Sequence, residues 1–397
     1  MTYEPSTDQV RTGPPPAGLT PAAHAPLAPV APRDAERELL LEVKNLRTQF
    51  ALDEGTLTAV DGVSYSLYRG RTLGIVGESG CGKSVTAQSI LRIVPRPGKI
   101  VDGEIIYHRR RPTALVEERG GFFRRQRTVV ESAPAAGEQS GEKIDLTQLD
   151  PMGPKIRSIR GGEIALIFQE PMSSLSPVHT IGHQMIQTIM LHQKVNREDA
   201  REQSVAMLRR VGLPRPHELI DRYSHQLSGG QRQRAVIALA LSCKPSLLIA
   251  DEPTTALDVT TEAQILELMK ELQQDFGMAI QIITHNLGVV AEMADDVVVM
   301  YLGKEVEQAP VEEIFNNPKH AYTRALLRSI PRLGQKSEGK KRLESIKGMV
   351  PDPFSIPKGC AFHTRCPYYK PGVCDEPQYV QVGANHWARC NRTQELD

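Results

Sequence analysis

The short apolar run Thr72-Leu73-Gly74-Ile75-Val76 leads directly into Gly77-Glu78-Ser79-Gly80-Cys81-Gly82-Lys83-Ser84, followed by the helix-compatible Val85-Thr86-Ala87-Gln88-Ser89-Ile90-Leu91. No other feature constrains the chain as much, because this is G-x-x-x-x-G-K-[ST] in its required strand–loop–helix setting. The glycines let the backbone curl so that successive N–H groups face a phosphate chain, and the helix N-terminus adds the positive end of its dipole. Lys83 is then placed between the β- and γ-phosphates of a nucleotide, and the Ser84 hydroxyl on Mg²⁺. From average residue usage, a chance match in a chain of this length is on the order of one in a hundred. The flanking pattern disfavours the plainer reading, a Gly-rich turn with an exposed lysine. Cys81 occupies a permissive position in the loop.

Two further segments belong with this loop. In Leu247-Leu248-Ile249-Ala250-Asp251-Glu252-Pro253 an apolar strand ends in two acids at the sheet edge where ligands collect in such folds. Asp251 suits an indirect contact to Mg²⁺, and Glu252 suits polarising an attacking water. In Leu227-Ser228-Gly229-Gly230-Gln231-Arg232-Gln233-Arg234, Ser228 is a natural helix N-cap and the glycines expose backbone N–H groups. That is a second anion nest, and nothing in its position requires it to serve the nucleotide bound at Lys83.

The rest of the chain is built around an α/β core. Residues 1–38 carry eight prolines and no apolar h-region, so a disordered tail is expected and a secretory leader is not. From Leu39 to about Tyr301, β-type runs alternate with amphipathic ones, the pattern of a largely parallel sheet. Residues 104–130 interrupt it with seven arginines against three glutamates, read as a solvated insertion over 104–143. A helical stretch, Val311–Ile330, leads through a Lys/Gly/Ser-rich linker at 331–342 into the C-terminal tail. A net charge of +1 argues against a nucleic-acid coat, and no stretch approaches 18 consecutive apolar residues.

In this order and spacing, Gly77–Ser84, Leu227–Gln231 and Leu247–Glu252 resemble the nucleotide-binding subunit of an ABC transporter. The resemblance covers roughly residues 39–330. It implies a P-loop ATPase with a RecA-like core, an antiparallel β subdomain and a helical subdomain at about 170–235, within an ATPase domain at 39–310. Gln169 then resembles the Q-loop glutamine that touches Mg²⁺ together with Ser84 and Asp251. Ala256-Leu257-Asp258 resembles the D-loop, and His285 the switch histidine that contacts the γ-phosphate. Phe50 is the nearest candidate for the aromatic that stacks on adenine. In the family two such subunits pair head to tail, so each ATP lies between one chain's Lys83-type loop and the other's Leu227, Ser228, Gly229, Gly230 and Gln231.

Asn316-Asn317-Pro318-Lys319-His320-Ala321-Tyr322-Thr323-Arg324-Ala325-Leu326-Leu327 further resembles the extension of ATPases that serve dipeptide, oligopeptide and nickel importers, with Ala321 replacing the usual proline. The extension runs over 311–397. The resemblance implies two membrane permeases, a second and paralogous ATPase subunit, an extracytoplasmic substrate-binding protein, and a place at the cytoplasmic face of the membrane. Cys360, Cys366, Cys374 and Cys390 read as a metal or cluster site rather than disulfides. The family's similar cysteine set implies a [4Fe–4S] cluster, with zinc as the alternative. His363 and His386 lie close enough in sequence to replace a ligand. An ABC-type ATPase acting on nucleic acid is the rival reading, supported by the Arg-rich insertion and opposed by the single cassette and neutral charge.

Overall fold

The computed structural model describes residues 38–110, 141–169, 174–255, 257–329 and 346–396. The expected Pro/Ala-rich tail up to residue 37, most of the Arg-rich insertion, the 331–342 linker and Ala256 lie outside the described residues.

The chain opens with two long strands, β1 (Leu39–Leu52) and β2 (Gly55–Tyr68), paired antiparallel. Next come β3 (Thr72–Val76), α1 (Lys83–Ile90), β4 (Gly98–Arg109), β5 (Glu142–Asp145), α2 (Pro154–Ile159) and β6 (Ile164–Ile167). A helical block follows: α3 (Ile181–His192), α4 (Arg197–Arg210), α5 (Pro216–Leu219) and α6 (Gly229–Leu241). The chain then alternates through β7 (Leu247–Asp251), α7 (Val259–Phe276), β8 (Ala279–Thr284), α8 (Leu287–Met293), β9 (Asp296–Tyr301) and β10 (Lys304–Pro310). It ends with α9 (Val311–Asn316), α10 (Ala321–Arg328), β11 (Tyr379–Gly383) and β12 (His386–Arg389).

Two sheets organise these elements, one of four antiparallel strands in the order β2-β1-β4-β5 and one of eight in the order β11-β12-β10-β9-β3-β8-β7-β6. In the larger sheet β3, β6, β7, β8 and β9 pair in parallel, so their connections must cross over through helices. β3, β7 and β8 are mostly apolar for the same reason: every residue of these strands is buried, with Thr72, Asp251, Gln281 and Thr284 as the polar exceptions. Parallel register places the C-terminal ends of β3, β7 and β8 side by side, with Val76 opposite Thr284 and Asp251 opposite Ile283. The loops that carry chemistry all leave from that edge.

One apolar cluster ties the antiparallel sheet to the larger one through Leu41, Tyr65, Leu73, Ile90, Ile105 and Ile283. Within it, Thr48 Oγ1 and Ser89 Oγ meet at 3.0 Å, fixing α1 against β1. A second cluster joins the helical block to the other face of the sheet through Met185, Leu208, Ile237, Leu248 and Ile280. The expected single helix over Val311–Ile330 is instead two helices. Pro318 lacks an N–H and disfavours the α conformation at Asn317, so α9 ends at Asn316. α10 restarts under a His320 cap whose Nδ1 accepts from the Tyr322 N–H at 3.1 Å. Among the described residues no helix is long and apolar enough to cross a membrane.

Ile283 is fully buried on the central strand β8, where neighbouring elements leave little room to collapse. Ile283→Ala is expected to lower stability by about 2–5 kcal/mol. A urea titration checks this, and an unchanged midpoint would contradict the packing described.

Candidate functional site

Leaving β3, the backbone turns through Gly77, Gly80 and Gly82, at φ 156°, 80° and 99°. A Cβ on Gly77 would stand 2.2 Å from the Met300 carbonyl oxygen, and one on Gly82 would stand 2.2 Å from that of Ala59. The loop therefore lies directly on the backbones of β9 and β2, an approach open only to glycine. Gly82 precedes α1, so the loop ends in a helix N-terminus. Lys83 is buried, and its ammonium donates to the carbonyls of Gly77 at 2.8 Å and Glu78 at 3.0 Å. Cys81, also buried, has a thiol that burial pushes up out of its ordinary range.

β7 delivers Asp251 next to the start of α1, with the Ser84 hydroxyl near enough to its carboxylate to favour the charged form. Burial raises its pKa, only partly offset by Ser84 and Lys83, and Oδ1 is buried with no hydrogen-bond partner among the described residues. A divalent cation at Ser84 fits that orphaned, desolvated oxygen.

Glu252, in the left-handed region at φ 49°, donates its N–H to the Ile283 carbonyl at 2.8 Å. The turn re-aims its side chain into a knot of partners. Gln169 Nε2 donates to Oε2 at 3.1 Å, Thr255 Oγ1 donates to the same oxygen at 2.9 Å, and His285 Nδ1 lies 3.0 Å from Oε1. Burial raises the carboxyl, but His285, Thr255 and Gln169 together outweigh it, and the net pKa is below the usual value. An ionised carboxylate only accepts, so the contact between His285 and Glu252 runs from Nδ1–H to Oε1. Gln169, Glu252 and His285, far apart in sequence, thus meet at one point.

The other expected residues are placed as follows. Ser228 caps α6: its hydroxyl accepts from the Gln231 N–H at 3.3 Å, while Gln231 Oε1 accepts from the Ser228 N–H at 3.2 Å. Leu227 is buried beneath the cap, and Gly229 and Gly230 open the helix. Among the described residues no hydrogen bond joins Ser228–Gln231 to the Gly77–Ser84 loop of the same chain. Gln233, fully buried on α6, instead reaches the turn after Glu252 by donating to the Pro253 carbonyl at 2.5 Å. Asp258 caps α7, accepting from the Thr261 N–H at 2.9 Å and its hydroxyl at 2.7 Å. Phe50 stands on β1 opposite Leu57 and Gly98, its ring lying against the Gly98 backbone.

Sequence reasoning missed two groups that grip the loop. Tyr322 Oη accepts from the Glu78 N–H at 2.8 Å, and Arg365 forks both Glu78 oxygens at 2.7 and 3.0 Å. These partners stand 244 and 287 positions from Glu78, so no local pattern could signal them.

Cys360, Cys366, Cys374 and Cys390 line one hollow together with His363, Tyr368 and Phe362. All four are free, and burial pushes Cys360 up to about 11 and raises Cys366 and Cys390. Among the described residues no set of three or more His, Cys, Asp or Glu side chains is arranged as a metal site. The sequence expectation of a ligated cluster therefore finds its four residues on one hollow but not in coordination geometry. His386 is not available as a substitute ligand: its Nε2 is 2.8 Å from Glu307 Oε1, both groups buried.

Comparison with known proteins follows the same division. The ABC transporter family profile matches residues 60–255, and that of the oligopeptide/dipeptide transporter C-terminal region matches 306–374. The dipeptide transport ATP-binding protein of Bacillus subtilis is 44% identical over 356 residues, covering 89% of this chain and 94% of that one. The chain belongs to the family of ABC transporter ATP-binding proteins. An oligopeptide transport ATP-binding protein of the same organism is 43% identical over 351 residues, 88% of each chain. In fold, an ATP-binding cassette solved as a dimer with ADP and inorganic phosphate superposes with a TM-score of 0.53 at 23% identity, covering 68% of this chain and 99% of that one.

Because Gly82 lies against Ala59, Gly82→Ala is expected to abolish binding at an ABC-type phosphate loop while leaving the bulk of the fold intact. Titration with a fluorescent ATP analogue, alongside far-UV circular dichroism, checks this. Undiminished binding would mean that the loop tolerates a side chain there.

Proposed function

We propose that this chain binds and hydrolyses ATP and so powers a membrane importer of di- or oligopeptides. The observation that carries the proposal is the meeting of Gln169, Thr255 and His285 on Glu252, beside a Lys83 loop whose Ser84 touches Asp251. It is supported by relatives named as dipeptide and oligopeptide transport ATP-binding proteins along most of the chain.

The chemistry is mostly positioning. Phosphate oxygens would replace the carbonyls that now hold the Lys83 ammonium, while N–H groups of Gly80–Ser84 face the same charge. Ser84, Gln169 and Asp251 would hold Mg²⁺, which when bound neutralises charge on the β- and γ-phosphates. Glu252, kept ionised by its partners, would accept a hydrogen bond from the attacking water, and His285 would contact the γ-phosphate. Phe50 would stack on adenine. The Leu227–Gln231 nest serves the nucleotide of a second, paralogous ATPase subunit, with Asp258 at the shared boundary. That division explains why one chain carries two anion nests that do not touch.

The 39–310 ATPase domain, with its helical subdomain at about 170–235, would dock on two permeases at the cytoplasmic face, supplied by an extracytoplasmic binding protein. The 311–397 extension would hold a [4Fe–4S] cluster on Cys360, Cys366, Cys374 and Cys390, zinc being the alternative. Thiols desolvated on a common hollow are what a cation would convert to ligating thiolates.

Glu252→Gln is expected to retain ATP affinity within about threefold and to reduce turnover by at least about 10²-fold. Equilibrium binding and steady-state phosphate release on the assembled complex check both arms, and normal turnover would remove Glu252 from its role. For the extension, iron and acid-labile sulfide are expected near four per chain, dropping sharply in Cys374→Ser. Stoichiometric zinc without iron would select the alternative.

A further inference from the structure

Glu78 sits inside the phosphate loop; its carbonyl accepts from Lys83 and Cys81 of the loop itself, but its N–H and its carboxylate find their partners outside it. Its N–H donates to Tyr322 Oη, and its carboxylate takes both arms of Arg365. Tyr322 lies on α10, and Arg365 lies between Cys360 and Cys366, so both grips come from beyond residue 310.

The Arg365 side chain is only 4% exposed, although its partner Glu78 is 27% exposed. Besides Glu78, it donates to Tyr301 Oη at 3.3 Å and, through Nε, to the Lys347 carbonyl at 3.3 Å. Its guanidinium carbon lies 5.9 Å from the Tyr301 ring centre and 5.8 Å from that of Phe362. Tyr301, Tyr322 and Phe362 in turn form one buried aromatic set, with ring centres 4.6–5.4 Å apart. The cation is thus held in a rigid, fully partnered socket. A second contact lies at the other end of the segment, where Phe354 faces Gly55 at the tip of the β1–β2 hairpin.

A carboxylate on a phosphate-binding loop has the wrong sign for its ligand. Left free, Glu78 would repel the triphosphate and compete for Lys83. A bidentate guanidinium both cancels that charge and fixes its direction, which a lysine point charge would not do. We infer that Arg365 is a positioning residue for the nucleotide site: through Glu78, the cysteine-bearing extension holds the phosphate loop open for ATP. The inference rests on the reading of Gly77–Ser84 as an ATP site.

The test uses the full chain and measures ATP affinity by titration with a fluorescent ATP analogue. Wild type binds and Lys83→Ala does not if the underlying reading holds; failure of wild type to bind overturns that reading rather than the clamp. Given wild-type binding, Arg365→Ala is expected to weaken ATP roughly tenfold or more, because it leaves Glu78 unpaired beside the phosphates. Arg365→Lys is expected to fall between the two, and it keeps the test usable should the alanine variant not fold. Arg365→Ala combined with Glu78→Gln is expected to recover most of the affinity, since the repelling charge is gone. A structural defect in the extension would not be rescued by changing the loop. The clamp is overturned if Arg365→Ala and Arg365→Lys both bind ATP as wild type does, or if the Glu78→Gln effect simply multiplies with that of Arg365→Ala. In steady-state kinetics on the assembled complex the loss is expected in KM for ATP, with kcat within about twofold; a loss confined to kcat would also overturn it.

Discussion

The phosphate loop keeps its shape because two of its residues lie against the carbonyls of other strands. Met300 on β9 and Ala59 on β2 leave no room for a Cβ on Gly77 or Gly82. Those two carbonyls belong to different sheets, so the loop is cast by the junction of the antiparallel and parallel sheets rather than by its own sequence. Everything placed around the loop depends on that junction staying rigid. The apolar cluster running from Leu41 and Tyr65 through Leu73 to Ile283 is what holds it. Burial on this scale dominates the stability of a chain of this size.

Charge in the site is arranged by opposing burial to partnership. Asp251 and Glu252 are adjacent in sequence and both largely buried, yet their carboxyl groups are driven in opposite directions. Asp251, whose buried Oδ1 has no hydrogen-bond partner among the described residues, is raised by desolvation. Glu252 has three side-chain partners and is lowered. The difference lies in their surroundings: Glu252, at φ 49°, meets His285, Thr255 and Gln169, whereas burial dominates at Asp251. A left-handed glutamate is costly, and it persists here because the Ile283 carbonyl and the Gln169–Thr255–His285 knot over-determine it.

The loop, the Ser228 cap and the strands β3 and β7 were legible in the sequence as local patterns: glycine spacing, a serine ahead of a helix, a short apolar run; the two acids gained meaning only beside the loop. Gln169 and His285 were legible only by resemblance, because a glutamine or histidine after a strand has no local signature. What could not be read was the return of the C-terminal extension to the loop. Arg365 and Tyr322 are unremarkable in their own segments, and their meaning depends on a chain reversal of nearly three hundred residues. The break before Pro318 follows from a local rule, since a proline and the residue before it resist the helical conformation.

The extension is also instructive about how a segment poor in apolar residues stays attached. β12 adds to β10 by only two residue pairs, Glu307 with Ala388 and Gln308 with Trp387. At that seam lie polar, ionisable groups that would be expensive to bury alone: His386 on Glu307, and Arg389 on Glu305 at 2.9 Å, the Glu305 carboxyl pushed up by burial to about 7. Each has its partner on the opposite strand, so separating the strands would leave polar groups on both sides without their partners. The seam is therefore all-or-none, held by mutual dependence more than by area. Such a joint transmits position well, which is what the Arg365 contact requires of it: a loosely attached extension could touch the phosphate loop but could not hold it.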